Sequence, residues 1–190
     1  MLLSPERYEE LNQEVLGLIE VYGITDYPVD VFALAGQMGI VLKPYSSIPL
    51  AKRHAFLDVS KDAFTIAEGQ YEADATYICY NGSVNRGRLR HSIAHEIGHI
   101  WLEHPNDDEP HESEAGYFAG YLLAPTPLVL QHTNLRISEV EKLFEISHEA
   151  ARIAVERASK RVYCRKPVYW YEHVLTQICT VERGGRVEIA

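Results

Sequence analysis

Apolar and polar positions alternate so as to divide the chain into a helical start, a strand-rich middle and a largely helical second half. Tyr8, Leu11, Val15, Leu18, Ile19 and Tyr22 recur at the spacing of an amphipathic helix. Ser4 is a good N-cap for it, Pro5 stands where proline is tolerated at a first helical position, and Gly23 can close it. Pro28 opens a second short helix, to about Gln37, with Val31, Leu34 and Ala35 inward and Gly39 as its stop. Then the period changes. Ile40-Val41-Leu42 begins a strand, and Phe64 to Ala67 and Thr76 to Tyr80 are rich in β-branched and aromatic residues. Polar turns, Asn81-Gly82 among them, bound these runs, which predict a small antiparallel or mixed sheet.

Helical period returns from about Arg88 to Glu103 and from about Glu112 to Leu123, where Pro125 and Pro127 stop it. A further helical pair follows, with Ser138 and Ser147 as caps and Glu145-Ile146-Ser147 as the turn between them. From Val162 onward, aromatic and β-branched residues predict strand or extended chain. No repeat, low-complexity tract or flexible linker stands out. The expectation is an α+β fold, a small sheet packed on the helix around residues 88–103, followed by a C-terminal helical subdomain. The expected division is 1–128, then a helical, helix-turn-helix-like 129–161, then a C-terminal extension of unknown role, 162–190.

One segment changes the picture from fold to chemistry. His95-Glu96-Ile97-Gly98-His99 is an HExxH pattern. Residues four apart on a helix lie one turn above each other. His95 and His99 can therefore offer two ring nitrogens to one zinc ion, at ~2.0–2.1 Å. Glu96 beside them is placed to take a proton from water rather than to bind metal. Leu89, Ile93, Ile97, Ile100 and Trp101 form one apolar stripe, with the two histidines nearly opposite. Gly98 costs ~1 kcal/mol against alanine in a helix interior, so close approach of a second backbone is expected there. On a merely solvated helix the same residues would be an ion pair and a stray histidine. The stripe and the glycine weigh against that. His54, His91, His104, His132, His148 and His173 lack partner spacing and are expected at the surface.

A catalytic zinc keeps three protein ligands and one open position. The following helix offers Glu112, which shares a face with Gly116 and Ala119, the face best able to approach Gly98. Glu114 shares its face with Tyr117, Phe118 and Tyr121 and stays open as the alternative. His111 is a third choice if it lies within the helix. Carboxylates at a helix start also stabilise its dipole without any metal. Tyr117, Tyr121, His91 and Arg90 are the nearby groups for stabilising an oxyanion, although core or surface roles are expected for each.

Composition excludes several classes. With 46% apolar residues an ordinary core can be buried, and 18 basic against 27 acidic residues give a net charge of −9. Proteins that grip phosphates carry the opposite balance, so no direct nucleic-acid partner is expected. Cys79, Cys164 and Cys179 form no CxxC pair and predict reduced thiols. No stretch approaches the ~18 apolar residues of a membrane span, and Met1 to Glu10 carries no secretory signal. The expected location is cytoplasmic, with no membrane partner.

Together Arg90-His-Ser-Ile-Ala-His-Glu-Ile-Gly-His99, Glu112-Ser-Glu-Ala-Gly-Tyr-Phe-Ala119 and Leu122-Leu-Ala-Pro125 resemble the ImmA/IrrE family of HExxH metallopeptidases. The likeness extends more loosely from about Pro28 to Arg161, through Pro28 to Gly39 and Leu143 to Arg152. The resemblance implies zinc on His95, His99 and Glu112, with Glu96 as general base. It also implies a protein substrate, a helix-turn-helix repressor of a mobile element or stress response. The family usually has Asn or Asp where this chain has Gly116, a side chain that could orient a ligating histidine. Residues from about Val162 lie outside the likeness. The alternative expectation is a non-proteolytic zinc-binding or toxin–antitoxin-type interaction module.

Overall fold

The computed structural model describes residues 3–70, 73–165 and 167–181. The first helix, α1 (Pro5–Tyr22), starts where Ser4 Oγ accepts from the Arg7 N–H and ends at Gly23, whose φ of 62° lies in the left-handed region. It buries Leu11, Val15, Leu18 and Ile19, the stripe read from the sequence. The short strand β1 (Asp26–Tyr27) leads into α2 (Val31–Gln37). That helix begins one turn later than Pro28, because the Asp30 carboxylate accepts from the N–H groups of Phe32 and Ala33.

Three strands form one sheet: β2 (Val41–Pro44), β3 (Ala63–Ile66) and β4 (Tyr77–Tyr80). Their order is β2-β4-β3, with β2 parallel and β3 antiparallel to β4, so the sheet is mixed. Between β2 and β3 runs α3 (Leu50–Val59), a helix absent from the sequence reading. It buries none of its residues and touches the body through Phe56, packed on Tyr45 and Phe64. With no core face it leaves no apolar stripe to read.

Two helices form the centre. Asn85 caps α4 (Arg86–Trp101), and Asp108 caps α5 (Glu109–Leu123), its carboxylate accepting from the His111 N–H. His111 thus lies inside the first turn of α5. Ile93, Ala94 and Ile97 on α4 and Ala115, Phe118, Ala119 and Leu122 on α5 are buried between them and the rest of the core. A Cβ at Gly98 would lie 3.1 Å from Phe118 Cδ1 and 3.4 Å from the Ala115 Cα and carbonyl oxygen. The expected close backbone approach is there. A Cβ at Gly87 would lie 2.6 Å from the backbone nitrogen of Ser147, so the start of α4 must also be bare.

The second half is more helical than the sequence suggested. Pro125 and Pro127 end α5 but sit at the start of another helix, α6 (Thr126–His132). The helical pair is α7 (Ile137–Phe144) and α8 (His148–Tyr163), with Glu145 left-handed at the turn. Ser147 caps α8 as expected. Ser138 does not cap α7, since Arg136 holds the N-cap position and Ser138 lies in the first turn. The largest correction concerns the chain after Val162, expected to be strand or extended. It carries a helix, α9 (Trp170–Ile178), before the short strand β5 (Thr180–Val181). Aromatic and β-branched content suggested a strand, yet Tyr171 and Leu175 bury one helical face, and the Glu172 carboxylate accepts from the Tyr169 N–H to start the helix. β5 pairs in parallel with β1, and α9 packs on α1 and α6. The rest of the predicted extension, residues 166 and 182–190, lies outside the described residues. No helix among the described residues is long and apolar enough to cross a membrane. Cys79, Cys164 and Cys179 are unpaired thiols.

Candidate metal centre

The outward face of α4 and the first turn of α5 bring three donors together. His95 Nε2 and His99 Nε2 are 3.0 Å apart. Glu112 places Oε2 3.2 Å from the first and Oε1 3.3 Å from the second. The i, i+4 spacing on α4 aligns the histidines, and the bare Gly98 lets α5 come close enough to supply the carboxylate. For ligands at ~2.0–2.1 Å in a tetrahedral site, donor atoms stand about 3.3 Å apart. The observed spacings match that figure. Two imidazole nitrogens aimed at one point beside a carboxylate form a group that can hold a metal ion. Burial, followed by the neighbouring His99, His91 and His104, pushes His95 down to about 4, so its ring is neutral and fit to donate a lone pair. The donor set suits a divalent cation of the zinc class.

Glu96 lies next to this group without joining it. Its Oε2 accepts a hydrogen bond of 2.8 Å from Thr65 Oγ1 on β3. Burial pushes the carboxyl up to about 7; the carboxylates of Asp107 and Glu112 add to the rise, and the Thr65 hydrogen bond opposes it. A carboxyl poised near neutrality can both accept and return a proton. Glu96, His99 and Asp107 line two adjoining hollows, one bounded by Ala63, Phe64, His91 and His95, the other by Thr65, Gln70, Thr76 and His104. The cleft therefore runs past the donors on both sides.

Glu114, the alternative third ligand, points elsewhere. Its carboxylate accepts from Arg7 Nε at 2.8 Å and lies 3.2 Å from His104 Nε2. His104 was expected at the surface, but its side chain is only 4% exposed. Glu103 takes a φ of 53° after α4, and the chain folds back so that the His104 N–H bonds to the His99 carbonyl at 3.0 Å. His104 Nδ1 then lies 3.1 Å from His99 Nδ1. The available signal was a histidine placed just past a helix end, five residues from a ligand candidate. His54, His148 and His173 are exposed as expected, and His132 is half-buried.

Of the four groups considered for an oxyanion, three are used in the core. Arg90 donates to the carbonyls of Val29, Phe144 and Glu145. Tyr117 donates to Asn12, and Tyr121 is buried with its ring under Arg157. His91 alone lines the cleft.

No curated protein matches the chain. The family model Peptidase_M78, described as an IrrE N-terminal-like domain, matches residues 54–156, more than half of the 190. That span holds both halves of the donor cluster, the edge strand with Thr65 and the α7–α8 turn. The chain belongs to the ImmA/IrrE family of metallopeptidases.

Proposed function

We propose that this protein is a zinc-dependent endopeptidase in which His95, His99 and Glu112 hold the metal and Glu96 is the general base. The observation that carries this reading is the convergence of two ring nitrogens 3.0 Å apart with the two oxygens of one carboxylate, 3.2 and 3.3 Å from them in turn, from two helices locked together at Gly98. Zinc held there supplies Lewis-acid chemistry, polarising the scissile carbonyl and acidifying the attacking water. Glu96 takes the proton of that water on Oε2 or Oε1 and returns it to the leaving amine. Thr65 holds the carboxylate towards the donors. His91 faces the same cleft and is the remaining side chain for the developing oxyanion.

The sheet supports an extended substrate. The strand that comes just before α4 in the chain is Thr76 to Tyr80. That segment is β4, paired on both sides, and is not available. β3 is an edge strand, and its Ala63 and Phe64 line the cleft beside His95 and Glu96. A peptide laid along β3 would gain main-chain hydrogen bonds and bring its carbonyl to the donors. In this reading the α7–α8 pair is a helix-turn-helix-like subdomain behind the site. The substrate is a protein, a helix-turn-helix repressor, as the family likeness implies. A chain of net charge −9 is suited to act on such a repressor rather than on its operator DNA. Linkers and locally unfolded segments offer the extended backbone required.

The test is metal content after chelator treatment and zinc reconstitution. One zinc per chain is expected for the wild type, and a larger loss for Glu112→Ala than for Glu114→Ala. A wild type that takes up no zinc ends the reading, and the reverse order removes Glu112 as ligand. Incubating the zinc-loaded enzyme with a candidate helix-turn-helix repressor should give defined fragments by mass spectrometry. An intact repressor removes that substrate.

A further inference from the structure

Behind His99 the hydrogen bonds run in one line. His99 turns Nε2 to the donor cluster and Nδ1 to His104 Nδ1, 3.1 Å away. His104 Nε2 lies 3.2 Å from Glu114 Oε2. Glu114 receives Arg7 Nε at 2.8 Å and Nη2 at 2.5 Å. One assignment of hydrogens, with a single N–H on each ring, satisfies every link. Arg7 can only donate, so Glu114 accepts as a carboxylate. His104 donates to it through Nε2, which leaves its Nδ1 as an acceptor. His99 therefore donates through Nδ1, and its Nε2 lone pair is left facing the cluster.

We infer that His104, held in place by Glu114 and Arg7, is a positioning residue that fixes the ring orientation and tautomer of His99 for metal binding. The inference rests on the metal site proposed above. A free imidazole divides between two tautomers, and one of them presents an N–H where a ligand lone pair is needed. Solvent reaches the middle of the line little, with the His104 side chain 4% and that of Glu114 14% exposed. Arg7 stands on α1, outside the matched residues 54–156. The first helix thus completes the support of a site built by α4 and α5.

The experiment uses the full chain, stripped of metal and titrated with zinc against a chromophoric chelator. Cobalt(II) spectra and thermal unfolding of the metal-free protein accompany it. His104→Leu and Glu114→Ala should bind zinc ~10–100-fold more weakly than the wild type. The cobalt bands should change in shape. His104→Gln should recover most of the affinity, because its amide oxygen can accept from His99 Nδ1 while its NH2 donates to Glu114. A purely structural role would lower the unfolding temperature of the metal-free variants and leave zinc affinity of the folded protein unchanged. Wild-type affinity in His104→Leu and Glu114→Ala overturns the inference, as does a His104→Gln no better than His104→Leu. If His104→Leu does not fold, Glu114→Ala and His104→Gln decide the question in the same way. A wild type that binds no zinc fails at the earlier step, the metal site itself.

Discussion

Arg90 and the pair His95 and His99 lie on the same helix, and both put polar groups into low-dielectric surroundings. Arg90 is 3% exposed, and three backbone carbonyls and the Glu145 carboxylate receive its hydrogens at 2.8–3.2 Å. The opposite end of the helix gathers acceptors: two ring nitrogens and a carboxylate at 3.0–3.3 Å. The first cluster is a donor matched to acceptors, complete within the chain, and it ties α4 to the α7–α8 turn and to the loop before α2. The second gathers lone pairs from two rings and a carboxylate at one point, where a cation can join all of them at once. A buried charge with all its partners marks architecture. Convergent acceptors at ligand spacing mark a place for a cation.

Substitutions that separate chemistry from stability test this contrast, and the largest effect is expected at Glu96. Glu96→Gln should cut peptide hydrolysis by ~10²–10⁴-fold while zinc content and unfolding temperature stay near wild type. Undiminished turnover would remove Glu96 as the base. The converse belongs to Arg90. Arg90→Leu strands buried carbonyls and should cost about 3 kcal/mol of stability in a denaturant titration. Its folded fraction should bind zinc with unchanged affinity. A selective loss of zinc at unchanged stability would mean that the two clusters are not independent.

Gly98 ties the donor cluster to a packing constraint between α4 and α5. Gly98→Ala adds a methyl 3.1 Å from Phe118 and 3.4 Å from the Ala115 backbone. It should destabilise by about 1–3 kcal/mol, partly offset by better helix propensity, and lower zinc affinity by moving α5 and Glu112 outward. Unchanged affinity would show that the α4–α5 separation does not set the site. The smallest effect is expected at Gly116, where the family usually has Asn or Asp. A Cβ there would stand 4.0 Å from His95 Nδ1, with room to spare. Gly116→Asn should let the amide oxygen accept from that nitrogen and raise zinc affinity by up to about tenfold, the value of one hydrogen bond. A loss of affinity would mean that the side chain crowds the ring instead.

Much of the site was legible because its geometry is local. HExxH spacing, the stripe on α4 and the small residues on α5 all follow from 3.6 residues per turn. Glu112 was favoured over Glu114 by helical phase, and the structure brings Glu112 and not Glu114 to the histidines. What stayed hidden depends on distant partners. His104 reads as a loop residue until the chain folds back at Glu103. The edge beside the cleft belongs to β3 rather than β4 because β2 covers the other side of β4. α9 looked like a strand because propensity was read where the burial of Tyr171 and Leu175 decides the period. α3 has no buried face and left no pattern.

The sequence by itself determined the helices with a core-facing stripe, the donor types and the peptidase family, since each is set by residues within a few turns of one another. Tertiary structure alone decided what Glu114 and His104 meet. Glu114 is held by Arg7, 107 positions earlier in the chain, and that long-range pair turns a possible ligand into a support for His104 and His99. A helix fixes where its side chains point. Only the packing of a second and a third helix against it fixes what they reach, because hydrogen bonds act over about 3 Å while the residues that make them can be separated by any length of chain.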